Sequence, residues 1–216
     1  YSAYQSGLTT SPRGFGSVVG MILIGRIMGI LDSRFLIALG FIIVAWSTWA
    51  FGAINLDVTS GSITWPNIYN GFGTALIFVP LTTLAMGTLK NEQMGNATGI
   101  FNLMRNLGGG VGIALVTTLL ARGAQTNRLA LLDHVTPYDM AYRQQHGAIS
   151  AAVAPQVGAP QASLTANAII NDEVDRQASL VTYVDDFRLL AIASLACVPA
   201  VFLFKRAKLK GSISVH

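Results

Sequence analysis

The sequence predicts an all-α fold, a polytopic bundle of about five membrane-spanning helices. Three observations predict it. Apolar residues make up 52% of the chain and charged ones 11%, whereas an ordinary soluble domain carries roughly 25% charge, so this composition suits lipid as the solvent. Five stretches are long and apolar enough for a hydrocarbon core about 30 Å thick, which takes roughly 20 helical residues because each backbone polar group must be satisfied within its own segment. None alternates polar with apolar as a transmembrane β-strand does: Val18-Val19-Gly20-Met21-Ile22-Leu23-Ile24 is one unbroken apolar run.

The spans are expected at residues 14–31, 35–53, 63–89, 95–121 and 187–204. Their orientation follows from the placement of Lys and Arg. Arg34 follows the first span, Lys90 follows the third, and Lys205, Arg206, Lys208 and Lys210 follow the last, while the 54–62 connection carries no basic residue. The rule that basic loops stay inside puts the tail and those two turns in the cytoplasm, and Tyr1 and the 54–62 connection outside. Trp46, Trp49, Trp65 and Tyr69 flank that outer connection, where an aromatic interface belt is expected.

The net charge of +4 sits at the ends of apolar runs and forms no stripe with interleaved aromatics, which excludes a nucleic-acid partner. Cys197 is the single cysteine, so an intrachain disulfide is excluded. Tyr1 is preceded by no initiator Met or leader, and the chain reads as the tail of a longer polypeptide.

Residues 123–186 form a polar segment, expected outside the membrane. The stretch between Arg122 and Asp186 holds seven of the ten acidic residues. Its later part has helical periodicity, with Ile170, Val174, Ala178, Val181 and Val184 on one side and Asp172, Glu173, Asp175 and Arg176 on others. Residues 154–160, with Pro155, Gly158 and Pro160, read as a loop. The segment is either a solvated amphipathic extension of the last span or a docking surface for a partner.

Charge inside hydrocarbon is costly, which makes an intramembrane ionisable group a functional candidate. The spans contain Arg26, Arg105 and Arg188 and no Asp, Glu, His or Lys. Arg26 and Arg188 are near span ends and can snorkel; Arg105 lies about 15 Å along its helix from Gly95. Thr98, Asn102, Arg105, Gly109 and Gly112 share its face. Such a face lines a polar path or packs closely on another helix. Asn67, Asn70, Gly71, Thr74, Phe78 and Thr82 make a similar stripe on the third span, as a cavity wall or as hydrogen-bonding partners of neighbouring helices, with a kink expected at Pro80. Gly16 with Gly20, Gly25 with Gly29, and Gly108 with Gly112 have the small-xxx-small spacing that lets helix backbones approach, and Gly109 lies in the same run.

Gly108-Gly109-Gly110-Val111-Gly112 follows no strand and precedes no Gly-Lys-Ser/Thr, so it is not a phosphate loop. His134 and His146 have no cysteine or carboxylate at metal-ligand spacing, and no nucleophile, base and orienting residue can be grouped. Neither a cofactor, a metal nor an enzyme activity is expected.

Gly25-Arg26-Ile27-Met28-Gly29-Ile30-Leu31-Asp32-Ser33-Arg34 resembles the helix, basic turn, helix signature of the major facilitator superfamily. Asn70-Gly71-Phe72-Gly73 with Pro80, the run from Asn96 through Arg105 to Gly112, and the approach to the last helix from Asp175 to Arg188 resemble the late helices of its fourteen-helix Emr-type drug:proton antiporters. The resemblance implies that residues 1–122 are four helices of a C-terminal bundle, that 123–186 are a periplasmic segment, and that 187–216 are the last helix and a basic cytoplasmic tail. It implies efflux of amphipathic small molecules across the bacterial inner membrane in exchange for protons, with Arg26, Asp32 and Arg34 as a gating charge network. A periplasmic adaptor, an outer-membrane channel and an N-terminal half of the same transporter are the implied partners. Asp32, Glu92, Asp185 and Asp186 all lie outside the spans, so the proton carrier is expected in that other half. A metabolite or siderophore transporter of the same superfamily, and a membrane scaffold without transport, are the alternative readings.

Overall fold

The structure, a computed structural model, describes residues 3–53, 60–87, 89, 91–133, 136 and 138–203. Lys90, His134, residues 54–59 of the outer connection and the basic residues Lys205, Arg206, Lys208 and Lys210 lie outside the described residues. The described residues form α-helices, short connections and a 3-10 turn at Asn91–Gln93.

The helices are α1 (Ala3–Thr10), α2 (Pro12–Ile27), α3 (Ser33–Phe51), α4 (Ser60–Met86), α5 (Met94–Leu132), α6 (Met140–Val157) and α7 (Ala159–Phe202). Of these, Ser33–Phe51, Gly61–Met86 and Met94–Leu132 are long and apolar enough on their own to cross a membrane. The 16 residues of α2 reach only about 24 Å. Ser11 nevertheless keeps helical dihedrals (φ −58°, ψ −31°) between α1 and α2. Pro12 interrupts the hydrogen-bond ladder there because it has no N–H, yet its fixed φ suits the first turn of α2. The expected kink-former Pro80 lies fully buried inside α4, which runs without a break through both Pro66 and Pro80.

The chain divides into two compact units, residues 1–112 with 187–216, and residues 113–186. In the first, α4 packs on both α2 and α3. Its core is Ile24, Leu36, Ala75 and Leu76, with Ile27, Met28, Phe72 and Val79 against them. Glycines set these contacts. A Cβ at Gly16 would overlap the carbonyl of Ile68, one at Gly71 would overlap that of Arg13, and one at Gly40 would lie 2.8 Å from the carbonyl of Gly73. The Ser17 hydroxyl also donates to the Gly71 carbonyl at 3.1 Å, linking α2 to α4. The expected aromatic belt is a contiguous group here: Trp46 meets Tyr69 edge-on with centroids 5.2 Å apart, and Trp65 is 6.4 Å from Tyr69.

The second unit corrects the loop expected at 154–160. Helix α6 includes Pro155, only Gly158 separates it from α7, and its φ of 83° makes the corner. Pro160 falls in the first turn of α7, where an N–H has no intrahelical partner to lose. Likewise α5 continues past residue 121 to Leu132, and α7 extends over 44 residues, about 66 Å. Both are about twice the hydrocarbon thickness. On α7 a seam of Ala162, Ala166, Ile170, Val174, Ala178 and Thr182 is buried at every fourth residue. Val181, expected on that seam, is 42% exposed, and Thr182 occupies the buried place instead. Thr182 receives a hydrogen bond from Asn127 Nδ2 at 3.0 Å and packs against Gly123, while Arg128 pairs with Asp175.

Candidate functional site

One face of α4 carries Asn67, Asn70, Thr74 and Phe78 at helical spacing. Asn67 is 7% exposed, and its amide donates to the carbonyls of Ile63 (3.0 Å) and Thr9 (3.3 Å). Asn70 Nδ2 donates to Ser47 Oγ of α3 at 3.0 Å. The Thr74 hydroxyl donates back to the Asn70 carbonyl at 2.7 Å. The asparagines tie α4 to its neighbours, and the same face borders open space.

That space is a cavity of ≈ 600 Å³. Asn67, Asn70 and Thr74 form its α4 wall, and Arg13, Thr48 and Ser194 bring further polar groups from α2, α3 and α7. Phe51 and Phe187 line it as a tilted ring pair with centroids 5.3 Å apart. Sequence reasoning missed Arg13, Ser47, Thr48, Phe51, Phe187 and Ser194. Ser47 and Thr48 alone carried a signal, as adjacent hydroxyls in an apolar helix; both donate to the Val44 carbonyl, at 2.9 and 2.7 Å. The α4 residues Ile68, Tyr69 and Phe72 line a different groove of ≈ 550 Å³ with Phe15, Val19 and Trp46, which is almost wholly apolar. Helix α4 thus presents a polar face and an apolar face to two separate hollows.

One turn beyond Thr74, the Arg105 guanidinium of α5 lies over the Phe78 ring, 4.7 Å from its centroid. An arginine is well suited to this contact, because a planar, weakly hydrated cation stacks on the negative face of an aromatic ring. Among the described residues Arg105 has no carboxylate partner. The structure brings these two expected path residues together across two helices. Thr98 and Asn102 follow on the same exposed face of α5, where the Thr98 hydroxyl donates to the Met94 carbonyl at 2.7 Å.

The expected packing glycines are distributed differently. Gly25, Gly29, Gly108, Gly109 and Gly112 have nothing within 4 Å of a would-be Cβ, because no residue of α5 is buried in this chain and the α2 end faces open space. Gly20 does pack, with a Cβ there falling 2.8 Å from that of Ala75. In the expected charge network, Arg26 occupies the last turn of α2, where a cation complements the helix dipole, Asp32 stands at the N-cap position of α3, and Arg34 lies in the first turn of α3. Arg34 Nε is buried and has no hydrogen-bond partner among the described residues.

Residues 1–113 match the family model described as Major Facilitator Superfamily. The chain is 29% identical over 95% of its length to the fatty acid resistance protein FarB of Neisseria gonorrhoeae, covering 39% of that protein. It is 30% identical over 64% of its length to the multidrug export protein EmrB of Escherichia coli K12, covering 27% of it. To the colistin resistance protein EmrB of Acinetobacter baumannii it is 27% identical over 82% of its length, covering 34%. The chain therefore spans about two fifths or less of the length of these curated relatives. No solved structure matches it.

Proposed function

We propose that this chain, which belongs to the Major Facilitator Superfamily, is part of an Emr-type exporter that moves amphipathic small molecules out of the cell in exchange for protons. The observation that carries this reading is the polar face of α4. Asn67, Asn70 and Thr74 border a cavity with aromatic walls, and the next turn presents Phe78 beneath the Arg105 cation. An apolar body and a polar group on one substrate find complementary surfaces along that face. Alternating access then rocks this bundle against another around the site.

The relatives' names fit such substrates, since they refer to multidrug export, fatty acid resistance and colistin resistance. In this reading residues 1–122 and 187–216 belong to a C-terminal bundle in the bacterial inner membrane with the tail in the cytoplasm. The 123–186 segment faces the periplasm, where an adaptor leading to an outer-membrane channel can meet it. Arg26, Asp32 and Arg34 gate the cytoplasmic side, and Gly25, Gly29, Gly108, Gly109 and Gly112 offer close approach to the rest of the transporter.

The test is transport by the full-length protein in everted membrane vesicles, followed with a fluorescent amphiphile under an imposed proton gradient. Accumulation that collapses with the gradient is expected. Flux in the opposite direction, or none, contradicts the proposal.

A further inference from the structure

The carboxylates of this chain all lie outside its apolar stretches, but one of them is placed unlike an ordinary surface acid. Asp186 follows Thr182 at the same four-residue interval that separates the buried members of the α7 seam. Its Oδ2 atom is buried and has no hydrogen-bond partner among the described residues. Further along the same face of α7, one and two turns on, come Leu190 and Ser194, which line the polar cavity. An ionised carboxylate oxygen shut from water without a donor is costly, whereas a protonated one is not.

We propose that Asp186 is a proton-exchanging group of this transporter, protonated and deprotonated once per transport cycle. The proposal rests on the proton-coupled reading above and deepens it. The step is a simple acid-base one: the carboxylate takes a proton from water to form a neutral carboxylic acid, and the O–H bond breaks again when the proton returns to water.

The charged neighbours bear on this assignment. On α7 itself they are Asp185, adjacent in sequence, and Arg188. Helix α5, which meets α7 where Gly123 packs on Thr182, contributes the exposed Arg122 beside that contact and Arg128, which is paired with Asp175. Burial raises the Asp186 carboxyl above its ordinary range, and the Asp185 charge raises it further.

The experiment uses the full-length protein in proteoliposomes with two readouts, transport driven by a pH gradient and substrate exchange at equal pH on both sides. Asp186→Asn is expected to lose at least tenfold in gradient-driven transport while retaining exchange, and Asp186→Glu to restore driven transport with a shifted pH midpoint. Asp185→Asn is expected to retain both. Driven transport by Asp186→Asn with an unchanged pH profile would overturn the proposal, and so would equal loss of exchange, which marks a structural role. If Asp186→Asn does not fold, an unshifted pH midpoint in Asp186→Glu overturns it. Absence of gradient-driven transport in the wild-type protein would instead sink the proton-coupled reading itself.

Discussion

Arg105 on α5 holds its guanidinium over the Phe78 ring of α4, 4.7 Å from the ring centroid. The pair closes one end of the polar face that begins at Asn67 and passes through Asn70 and Thr74. A cation–π contact contributes about 0.5 kcal/mol when exposed and about 2 kcal/mol or more when desolvated.

Arg105→Ala and Phe78→Ala are each expected to lower export by the full-length protein by about tenfold, the factor that corresponds to roughly 1.4 kcal/mol. The double variant is expected to lose little more than either alone, since both remove one interaction. Arg105→Lys should recover part of the loss, because the charge remains and the planar fork does not. Efflux rates from vesicles check all four variants, and additive losses would show that the residues act separately.

Gly71 and Gly25 provide a packing test. Gly71→Ala pushes a methyl group into the Arg13 backbone carbonyl, which cannot rotate aside, and is expected to destabilise the protein by about 1–3 kcal/mol. Gly25→Ala meets nothing within 4 Å of this chain's own atoms, so in the full-length protein a loss above about 0.5 kcal/mol is expected only where the rest of the transporter packs on it, as proposed above. Thermal unfolding in detergent measures both. A large loss at Gly25 would mean that a surface outside this chain covers it.

Asn70 and Ser47 link α4 to α3 by a 3.0 Å hydrogen bond. Ser47→Ala is expected to cost about 0.6 kcal/mol, and less than 2 kcal/mol, as interhelical hydrogen bonds in membranes do. The same unfolding assay reads it, with Asn70→Ala and the double variant completing the cycle.

The raised Asp186 carboxyl makes a prediction about stability that is separate from transport. A carboxyl whose folded value exceeds its unfolded value of 3.8 binds its proton more tightly in the native state. Its contribution is therefore full below that unfolded value and is lost as pH rises through the raised folded value. Unfolding midpoints of the wild type should fall across that interval relative to Asp186→Asn, in which this dependence is absent. Parallel pH curves for the two proteins would contradict it.

Much of this architecture was legible in the residues. The apolar stretches at 35–53 and 63–89 coincide closely with α3 and α4, because an apolar run of bilayer length has no other stable form in lipid. The stripe from Asn67 to Phe78 also followed from helical spacing. What did not follow was tertiary. Residues 154–160 read as a loop because Pro and Gly disfavour helix interiors, yet Pro160 lies in a first turn and Gly158 alone forms the corner. Gly25 and Gly16 have the same spacing signature, and only the packing of α4 distinguishes the one that touches a neighbour. Arg13, Phe187 and Ser194 reach the cavity from separate helices, and no local pattern joins them.

The central claim is that the polar face of α4 lines a route for substrate, and site-directed cysteine labelling tests it most directly. In the full-length protein with Cys197→Ser, Thr74→Cys places a thiol on the cavity wall and Val19→Cys places one in the apolar groove. A water-soluble maleimide is expected to label the Thr74→Cys protein and not the Val19→Cys protein, and a transported amphiphile should slow that labelling. An unreactive cysteine at Thr74, or one that the amphiphile does not protect, would contradict the account.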